Sequence, residues 1–470
     1  MKMLLLLALG AANEPAEAPE SEPRPVLAAS PVRDIERREA MVDAARRLSL
    51  DECIRIALEG NLQIQQANLR VDEASATRKV ARGQFGPTLA LDASVQVWAE
   101  EIAISFPAPM IPGAPPMDEG ALVVQDQVTA TIRTTLVQPL TGMWGISEMY
   151  RVQKKAEKAA TLAVRREQEG VALDISRAYY EALKAERLTE VALVSVDAIA
   201  ANRDRIEAFH AAGVMARDQL LEADTRLAEA RSLHIRARGQ TRMARANLAF
   251  VMGMPVDSDI APQPMRRADL PRVERNLDAI AGRAMGRRVE VAEAELRYEQ
   301  AKHARRAATS NMLPQLSALA SYQRTEGQAF ALANQFFVGL NLTWNVWEWG
   351  QKYYRLPEAR AREQQAALAQ TQVSEGIRLE LHRALIELEV SEQQLEATDV
   401  AVEHAEENLR IVQLRFEAAA ASATEVLDAV ARRTRAEAEQ ANAYYAHLQA
   451  LAAYQHGLGD LLESRRTERP

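Results

Sequence analysis

Seven histidines (His210, His234, His303, His382, His404, His447 and His456) are the first residues to test for chemistry, since imidazole moves protons and binds metals near neutral pH. None sits in a metal-binding spacing such as HExxH, and none has a nucleophile nearby in sequence. No glycine-rich phosphate-binding loop is present, so no energy source is built in. The 14 methionines are scattered, without the clustering of a copper or silver path. Cys53 is the single cysteine, which excludes an internal disulfide framework. These features predict a protein that is not an enzyme and holds no catalytic residue, no metal and no cofactor.

Composition points to extended helices. The chain has 470 residues, 26% of them charged, and its 48% hydrophobic content rests largely on Ala, Leu and Val. A net charge of −8 argues against nucleic acid as a partner, because phosphate binding needs a basic surface. Residues 1–12 read as an export signal: Lys2, an apolar stretch from Leu4 to Leu9, and Gly10-Ala11-Ala12 as a small-residue cleavage site. An ordinary apolar helix start is the alternative. Residues 13–47 form a linker rich in Pro, Glu and Ala that cannot bury a core. No cysteine follows the apolar stretch directly, which disfavours a lipid anchor, and no later apolar run reaches about 18 residues.

The chain then says the same thing twice. Ala57-Leu58 with Pro87 recurs 227 residues later as Ala284-Met285 with Pro314. Leu220-Leu221-Glu222-Ala223 recurs 206 residues later as Val426-Leu427-Asp428-Ala429, so the missing roughly 20 residues lie in one excursion around Ile102 to Gly120. The repeats span 48–254 and 276–459, joined by a linker at 255–275 and followed by a tail at 460–470.

Each repeat opens on a helix. Ser49-Leu50-Asp51-Glu52 is a capping box, and the helix it starts is expected to run to about Arg82. The period then changes to two. In Thr88 to Trp98, Leu89, Leu91, Ala93, Val95 and Val97 share one face; in the return strand Val128, Ala130, Ile132 and Leu136 do the same. Strands are expected at about 88–98, 124–138, 315–324 and 335–346. Their length and alternation suit a bilayer-crossing barrel, and the wet faces carry almost no Lys or Glu. Trp144, Trp344, Trp347 and Trp349 lie near strand-to-helix junctions, where an aromatic belt marks a membrane surface. A soluble sheet on a core is the alternative. Four strands leave two edges that cannot stay unpaired in lipid, so copies must supply the rest: two give 8 strands, three give 12, and sequence alone does not choose.

The remainder is helix. Ser147 to about Ala211 and Lys352 to about Ala420 predict helices near 90 Å long, with return helices from about Ala216 to Val251 and Thr424 to Gln455. A soluble or periplasmic coiled-coil scaffold or adaptor is the rival reading. An adaptor, however, carries one hairpin flanked by compact β domains.

In this order, duplicated, the motifs resemble the TolC-like outer-membrane efflux family. The resembling residues are Leu50-Asp51-Glu52-Cys53-Ile54-Arg55-Ile56-Ala57-Leu58-Glu59-Gly60-Asn61 as opening helix, and Gly86-Pro87-Thr88-Leu89 and Leu313-Pro314-Gln315-Leu316 as strand entries. Val137-Gln138-Pro139-Leu140 is similar to the strand exit, and Glu425-Val426-Leu427-Asp428-Ala429 to the helix after the periplasmic turn. The resemblance implies a mainly α protein with a transmembrane β part: a homotrimer with a 12-stranded barrel in outer-membrane lipid, continued by an α-helical barrel across the periplasm. It implies a periplasmic adaptor and an inner-membrane transporter as partners, in a tripartite efflux pump or a type I secretion system, with this chain as passive duct.

It also implies a gate at the tip of the helical tunnel. Glu425 and Asp428 fall where the family's constricting carboxylates sit, Phe416 at a nearby aromatic position, and Gln219 and Glu222 are the first-repeat equivalents. Rings of such carboxylates would favour cations and push some pKa values up. The local alternative is that Thr424 caps the helix and both acids complement its dipole; the two roles are compatible. The tip turns for adaptor docking carry Gly213 in the first repeat but Ala419 in the second, within Ala418-Ala419-Ala420-Ala421. The proline-rich first loop (Pro107, Pro109, Pro112, Pro115, Pro116) is expected at the cell exterior.

Overall fold

The computed structural model describes residues 47–106, 120–263, 273–329, 331–418 and 420–462. The expected export signal, nearly all of the N-terminal linker, the loop prolines and Ala419 lie outside the described residues. The element order is β1 (Arg47–Leu48), α1 (Leu50–Gly60), α2 (Leu62–Gly83), β2 (Thr88–Val97), β3 (Ile102–Phe106), β4 (Gly120–Pro139), α3 (Met143–Ala211), α4 (Arg217–Val251), β5 (Ala261–Pro262), α5 (Leu277–Arg287), α6 (Val289–Ser310), β6 (Gln315–Gln328), β7 (Asn334–Thr343), α7 (Gln351–Glu417) and α8 (Ala423–Gly457).

The capping box forms as expected, with Ser49 and Glu52 bonded reciprocally. The helix behind it does not run through to Arg82. It breaks at Asn61, which leaves helical geometry (φ −70, ψ 132), caps α2 by accepting from the Gln63 amide, and donates from Nδ2 to the Val251 carbonyl at 2.9 Å. The second repeat breaks 227 residues later at Arg288 (φ −64, ψ 123), after Asn276 caps α5. Two short strands, β1 and β5, pair in parallel, so the expected inter-repeat linker contributes structure at the waist. Cys53 is fully buried there, and burial, then the Glu52 charge, push its thiol up to about 12.

The sheet is ordered β2-β4-β6-β7, with β3 continuing the β2 side along the far end of β4. Ile102–Phe106, expected inside the loop, is therefore strand, and β4 and β6 reach further than the alternation alone indicated. Gly327 marks where β6 bulges against β4: its φ is +85, and a Cβ there would lie 2.3 Å from the Val128 carbonyl oxygen. The register aligns like with like. Leu89, Leu136, Ala320 and Val338 make one row on the apolar side, and Leu91, Thr134, Tyr322 and Phe336 the next. On the other side Asp92, Arg133, Gln323 and Gln335 form a polar row, with the Arg133 guanidinium donating to Gln323 at 2.9 Å. Among the described residues nothing covers the apolar side: Leu89, Leu91, Val95 and Val97 on β2 and Phe336, Val338, Leu340 and Leu342 on β7 are all exposed. Ala93, midway along the β2 apolar band, shares its row with Asn334, about six residues from Leu340, the middle of the β7 band. Such an offset is what strands crossing a bilayer at a tilt require.

Which side of the helical layer is outside follows from chirality. Gln127 has its side chain on the polar sheet face, and its carbonyl accepts from Trp98 N–H at 2.7 Å, toward the β2 edge. For L-residues this orders the sheet, seen from its apolar side with the helices below, as β7, β6, β4, β2 from left to right. The helices hang in the same order: α2 on the right of α3, then α6 and α7 to its left. Their packing agrees, since Arg78 of α2 pairs with Glu157 of α3 at 2.5 Å and Arg305 of α6 with Glu363 of α7 at 2.5 Å. Among the described residues no helix is long and apolar enough to cross a membrane. Further from the sheet α4 and α8 replace α2 and α6, and α7 runs unbroken through Pro357.

Arg288 holds the second-repeat waist. It is 6% exposed, pairs with Glu290 at 2.9 Å and Glu380 at 3.0 Å, and donates to the His456 and Gly457 carbonyls at the end of α8. Burial alone would raise the Glu380 pKa, but hydrogen bonds from His456 and Arg288 outweigh it and bring it down to about 2. A depressed carboxylate stabilises the fold above its ordinary value of 4.5 and loses that contribution as pH falls toward 2. Arg288→Met should destabilise the protein by about 3 kcal/mol, since it strands buried acceptors. The same change should flatten acid unfolding between pH 4.5 and 2. Thermal melts across that range check both.

Candidate functional site

The far ends of the two helical hairpins meet in one core. Ile206, Ala223, Leu227, Val412, Phe416, Val426 and Val430 are buried together, drawn from α3, α4, α7 and α8. The first hairpin turns by a Schellman closure: Gly213 N–H donates to the His210 carbonyl and Val214 N–H to the Phe209 carbonyl, both at 2.9 Å, with Gly213 at φ +76. In the second hairpin the corresponding bond runs from Ala420 N–H to the Arg415 carbonyl at 2.7 Å. The second tip thus keeps the outer closing bond without a glycine in its sequence.

Helix α8 is capped by Ser422, not by Thr424 as the sequence suggested. The Ser422 hydroxyl accepts from the Glu425 amide at 3.2 Å, and the Glu425 carboxylate accepts from the Ser422 amide at 3.1 Å. The box begins two residues before Thr424, which the run of alanines disguised. Thr424 is left free for another task, and its hydroxyl donates to Glu222 at 3.0 Å, from the second tip to the first. Asp428 makes the parallel connection, with Arg226 of α4 at 3.7 Å. Glu425 also faces Arg415 at 3.8 Å. Within one chain its carboxyl is held below its ordinary value, by the Ser422 amide and hydroxyl first and the Arg415 charge after them. For Glu425 the upward shift expected of crowded carboxylates is therefore not found within the single chain.

The structure accordingly brings Glu222, Glu425 and Asp428 into one polar patch at the tips, with Gln219 half-buried one turn before Glu222. Phe416 stands apart from that patch. It is 4% exposed and meets the Phe209 ring edge-on with centroids 5.8 Å apart, so it fixes the spacing of the two hairpins. Sequence reading missed Arg226 and Arg415, whose pairing depends on the closeness of α4, α7 and α8. Among the described residues no group of His, Cys, Asp and Glu could hold a metal ion.

At the other end, Trp344, Trp347 and Trp349 are exposed just after β7, and Trp144 half-exposed at the start of α3. Trp347 and Trp349 pack edge-on at 6.2 Å, and Tyr353 and Tyr354 form a second edge-on pair, at 5.2 Å, at the start of α7. Trp349 alone among the described non-glycine residues has positive φ, at 51. It turns the chain sharply from strand into α7. Trp98 marks the opposite end of β2, its indole donating to Thr129 at 3.2 Å. Between these ends β2 runs roughly 33 Å, which leaves about 25 Å across a bilayer at the usual strand tilt.

Comparison with known proteins bears on this architecture as a whole. The family described as outer membrane efflux protein matches residues 53–254 and 280–460, the two repeats. No curated protein sequence matches significantly. Among solved structures, the outer-membrane channel OprN superposes with a TM-score of 0.72 at 20% identity, covering 89% of this chain and 93% of that one. The CmeC outer membrane channel of Campylobacter jejuni gives 0.72 at 14% identity, covering 89% of each chain. The outer membrane protein VceC of Vibrio cholerae gives 0.69 at 16%, covering 87% and 96%. At these identities the likeness is one of fold.

Loss of the Ser422 cap should loosen the second tip alone. Ser422→Ala is expected to cost about 1 kcal/mol locally, read as faster amide hydrogen exchange over Ala423–Leu427 with the waist unchanged.

Proposed function

The chain belongs to the outer membrane efflux protein family, and from that premise we propose that it works as a trimeric exit duct. In this reading it conducts passively from a periplasmic adaptor and an inner-membrane transporter to the exterior, in a tripartite efflux pump or a type I secretion system. Membership in the family places it in the outer membrane with a long periplasmic extension, and sets aside the soluble scaffold or adaptor.

One observation carries the reading. The sheet is four strands wide between β2 and β7, and among the described residues its apolar side is bare and both outer edges lack partners. Lipid covers the apolar side, but unpaired amides in hydrocarbon cost several kcal/mol each, so the edges need strands from other copies. Three copies close twelve strands. Trp144, Trp344, Trp347 and Trp349 then mark the periplasmic membrane surface.

The tips form the gate in this proposal. Glu425 and Asp428 supply the constricting charge, with Gln219 and Glu222 as first-repeat counterparts and Phe416 as the spacer behind them. Gly213 and Ala419 sit at the turns that meet the adaptor. Arg226–Asp428 and Thr424–Glu222 hold one hairpin to the other and so resist splaying.

Two measurements test this. In detergent the assembly should have three times the 52.0 kDa chain mass; a monodisperse monomer would sink the proposal. Glu425→Gln with Asp428→Asn keeps an amide able to complete the capping box yet removes both charges. In planar bilayers it should raise conductance and weaken cation preference by several-fold. Unchanged conductance and selectivity would remove the gate assignment.

A further inference from the structure

The helices just below the sheet carry a one-sided charge pattern. On α3, Glu157 points toward α2 and Lys155 toward α6, where it pairs with Glu299. The handedness established above then fixes the two remaining faces. Ser147, Lys154, Lys158 and Thr161 fall on the outer face, continuing the apolar side of the sheet; Val152, Ala156, Ala160 and Ala163 fall on the inner one. Applied to the neighbours, the same construction puts Lys79 and Arg82 of α2, Lys302 and Arg306 of α6, and Arg360 of α7 on the outer face as well.

None of these seven basic residues lies within ion-pair distance of a carboxylate among the described residues. Lys79, Arg82, Lys154, Lys158 and Arg360 are exposed, and Lys302 and Arg306 half-buried. Arg82, Lys79 and Arg306 sit within about 6 Å of their helix ends at the sheet, and Lys302 within about 12 Å. On α2 and α6 the first outer-face carboxylates, Asp72 and Glu295, come only about 16 and 22 Å down. The pairs that do form, Arg78–Glu157 and Lys155–Glu299, lie between helices. Lys154, Lys158 and Arg360 lie deeper, about 17, 23 and 14 Å below the start of their helices, so the band is densest beside the sheet on α2 and α6. In a chain of net charge −8, such an unpaired cluster on the outer face is not explained by helix packing.

We propose that this band is a collar for anionic phospholipid headgroups of the periplasmic leaflet. The inference rests on the sheet being the membrane-crossing barrel, and goes beyond it. The band begins directly below the exposed tryptophans, at the depth where phosphates of the leaflet lie, and its sign complements theirs. Lys and Arg near an anionic surface each add attraction that falls off within a Debye length, about 8 Å at physiological salt. In a trimer the collar closes around the duct and resists tilting or withdrawal from the membrane.

The five tryptophans all lie on or beside the sheet, so their fluorescence reports adjacent lipid. The full-length protein should be reconstituted in bilayers containing brominated phosphatidylglycerol or brominated phosphatidylcholine as quencher. Phosphatidylglycerol should be enriched about threefold or more over phosphatidylcholine at low salt, with the preference vanishing near 0.5 M salt. Lys79→Gln, Arg82→Gln, Lys302→Gln and Arg306→Gln combined should abolish the preference while quenching by phosphatidylcholine persists. Should that variant fail to assemble, the salt dependence of the native protein decides. Equal quenching by both lipids at low salt overturns the collar alone. Absence of quenching by either lipid overturns the barrel reading, and the collar with it.

Discussion

Unpaired backbone along β2 and β7 is the constraint on which everything else depends. A strand in hydrocarbon must find hydrogen-bonding partners on both sides, and among the described residues the chain provides them for β4 and β6 only. The sheet cannot roll up on itself at a width of four, because barrels begin at about eight strands. In the proposed assembly the chain is an arc of a larger ring, and its helices have the same width as its sheet: α2, α3, α6 and α7 below the sheet, then α4, α3, α8 and α7 toward the tips. Faces such as Ile235 and Met243 on α4, or Leu368 and Val390 on α7, stay exposed for the reason the strand edges do.

Duplication accounts for how one chain maintains this width over such a length. The long helices α3 and α7, of 69 and 67 residues, span both levels, whereas each partner helix covers only half. The handover occurs at the waist, where α2 and α4, or α6 and α8, meet end to end beside a long helix. The breaks at Asn61 and Arg288, and the left-handed glycines Gly253 (φ +75) and Gly459 (φ +74), stand at equivalent places in the two repeats. Asn61 ties its break to the end of α4 through Val251, and Arg288 ties its own to the end of α8. The two repeats thus solve one geometric problem with a neutral amide in one case and a buried guanidinium in the other.

Much of this was legible in the sequence because it rests on local rules. Period-two alternation placed the strands to within a few residues at the helical end, and the Ser49 capping box fixed the start of α1. What escaped depended on contacts distant in sequence. Nothing local marks Asn61 as a break until its side chain reaches Val251, 190 residues away. Ile102–Phe106 lacks turn residues to frame it and becomes a strand only because β4 overruns β2. Ser422 was passed over for Thr424, since both precede an acid-rich first turn and only the reciprocal bonds to Glu425 separate them. At the candidate gate the acids could be named, but not Arg226 and Arg415, which approach from other helices. The outward basic band was invisible for a related reason: its members are spread over four segments, and their shared face follows only from the handedness of the sheet.

The partners of the tip carboxylates bear on how charge and motion are linked there. Glu425 is held by its own helix cap, so its bonds to Ser422 survive any rigid movement of α8. Asp428 and Glu222 are different, because their partners Arg226 and Thr424 belong to the opposite hairpin. Parting the hairpins would leave Glu425 ordered while releasing Asp428 and Glu222 to water, and would expose the Phe209–Phe416 contact. The two crossing contacts are polar and partly exposed, each worth on the order of 1 kcal/mol or less, whereas Phe416 and its apolar surroundings are buried, with Phe209 packed against them at the edge. Resistance to parting the hairpins thus resides mainly in the apolar core between them, and the crossing polar contacts chiefly set the register in which that core packs.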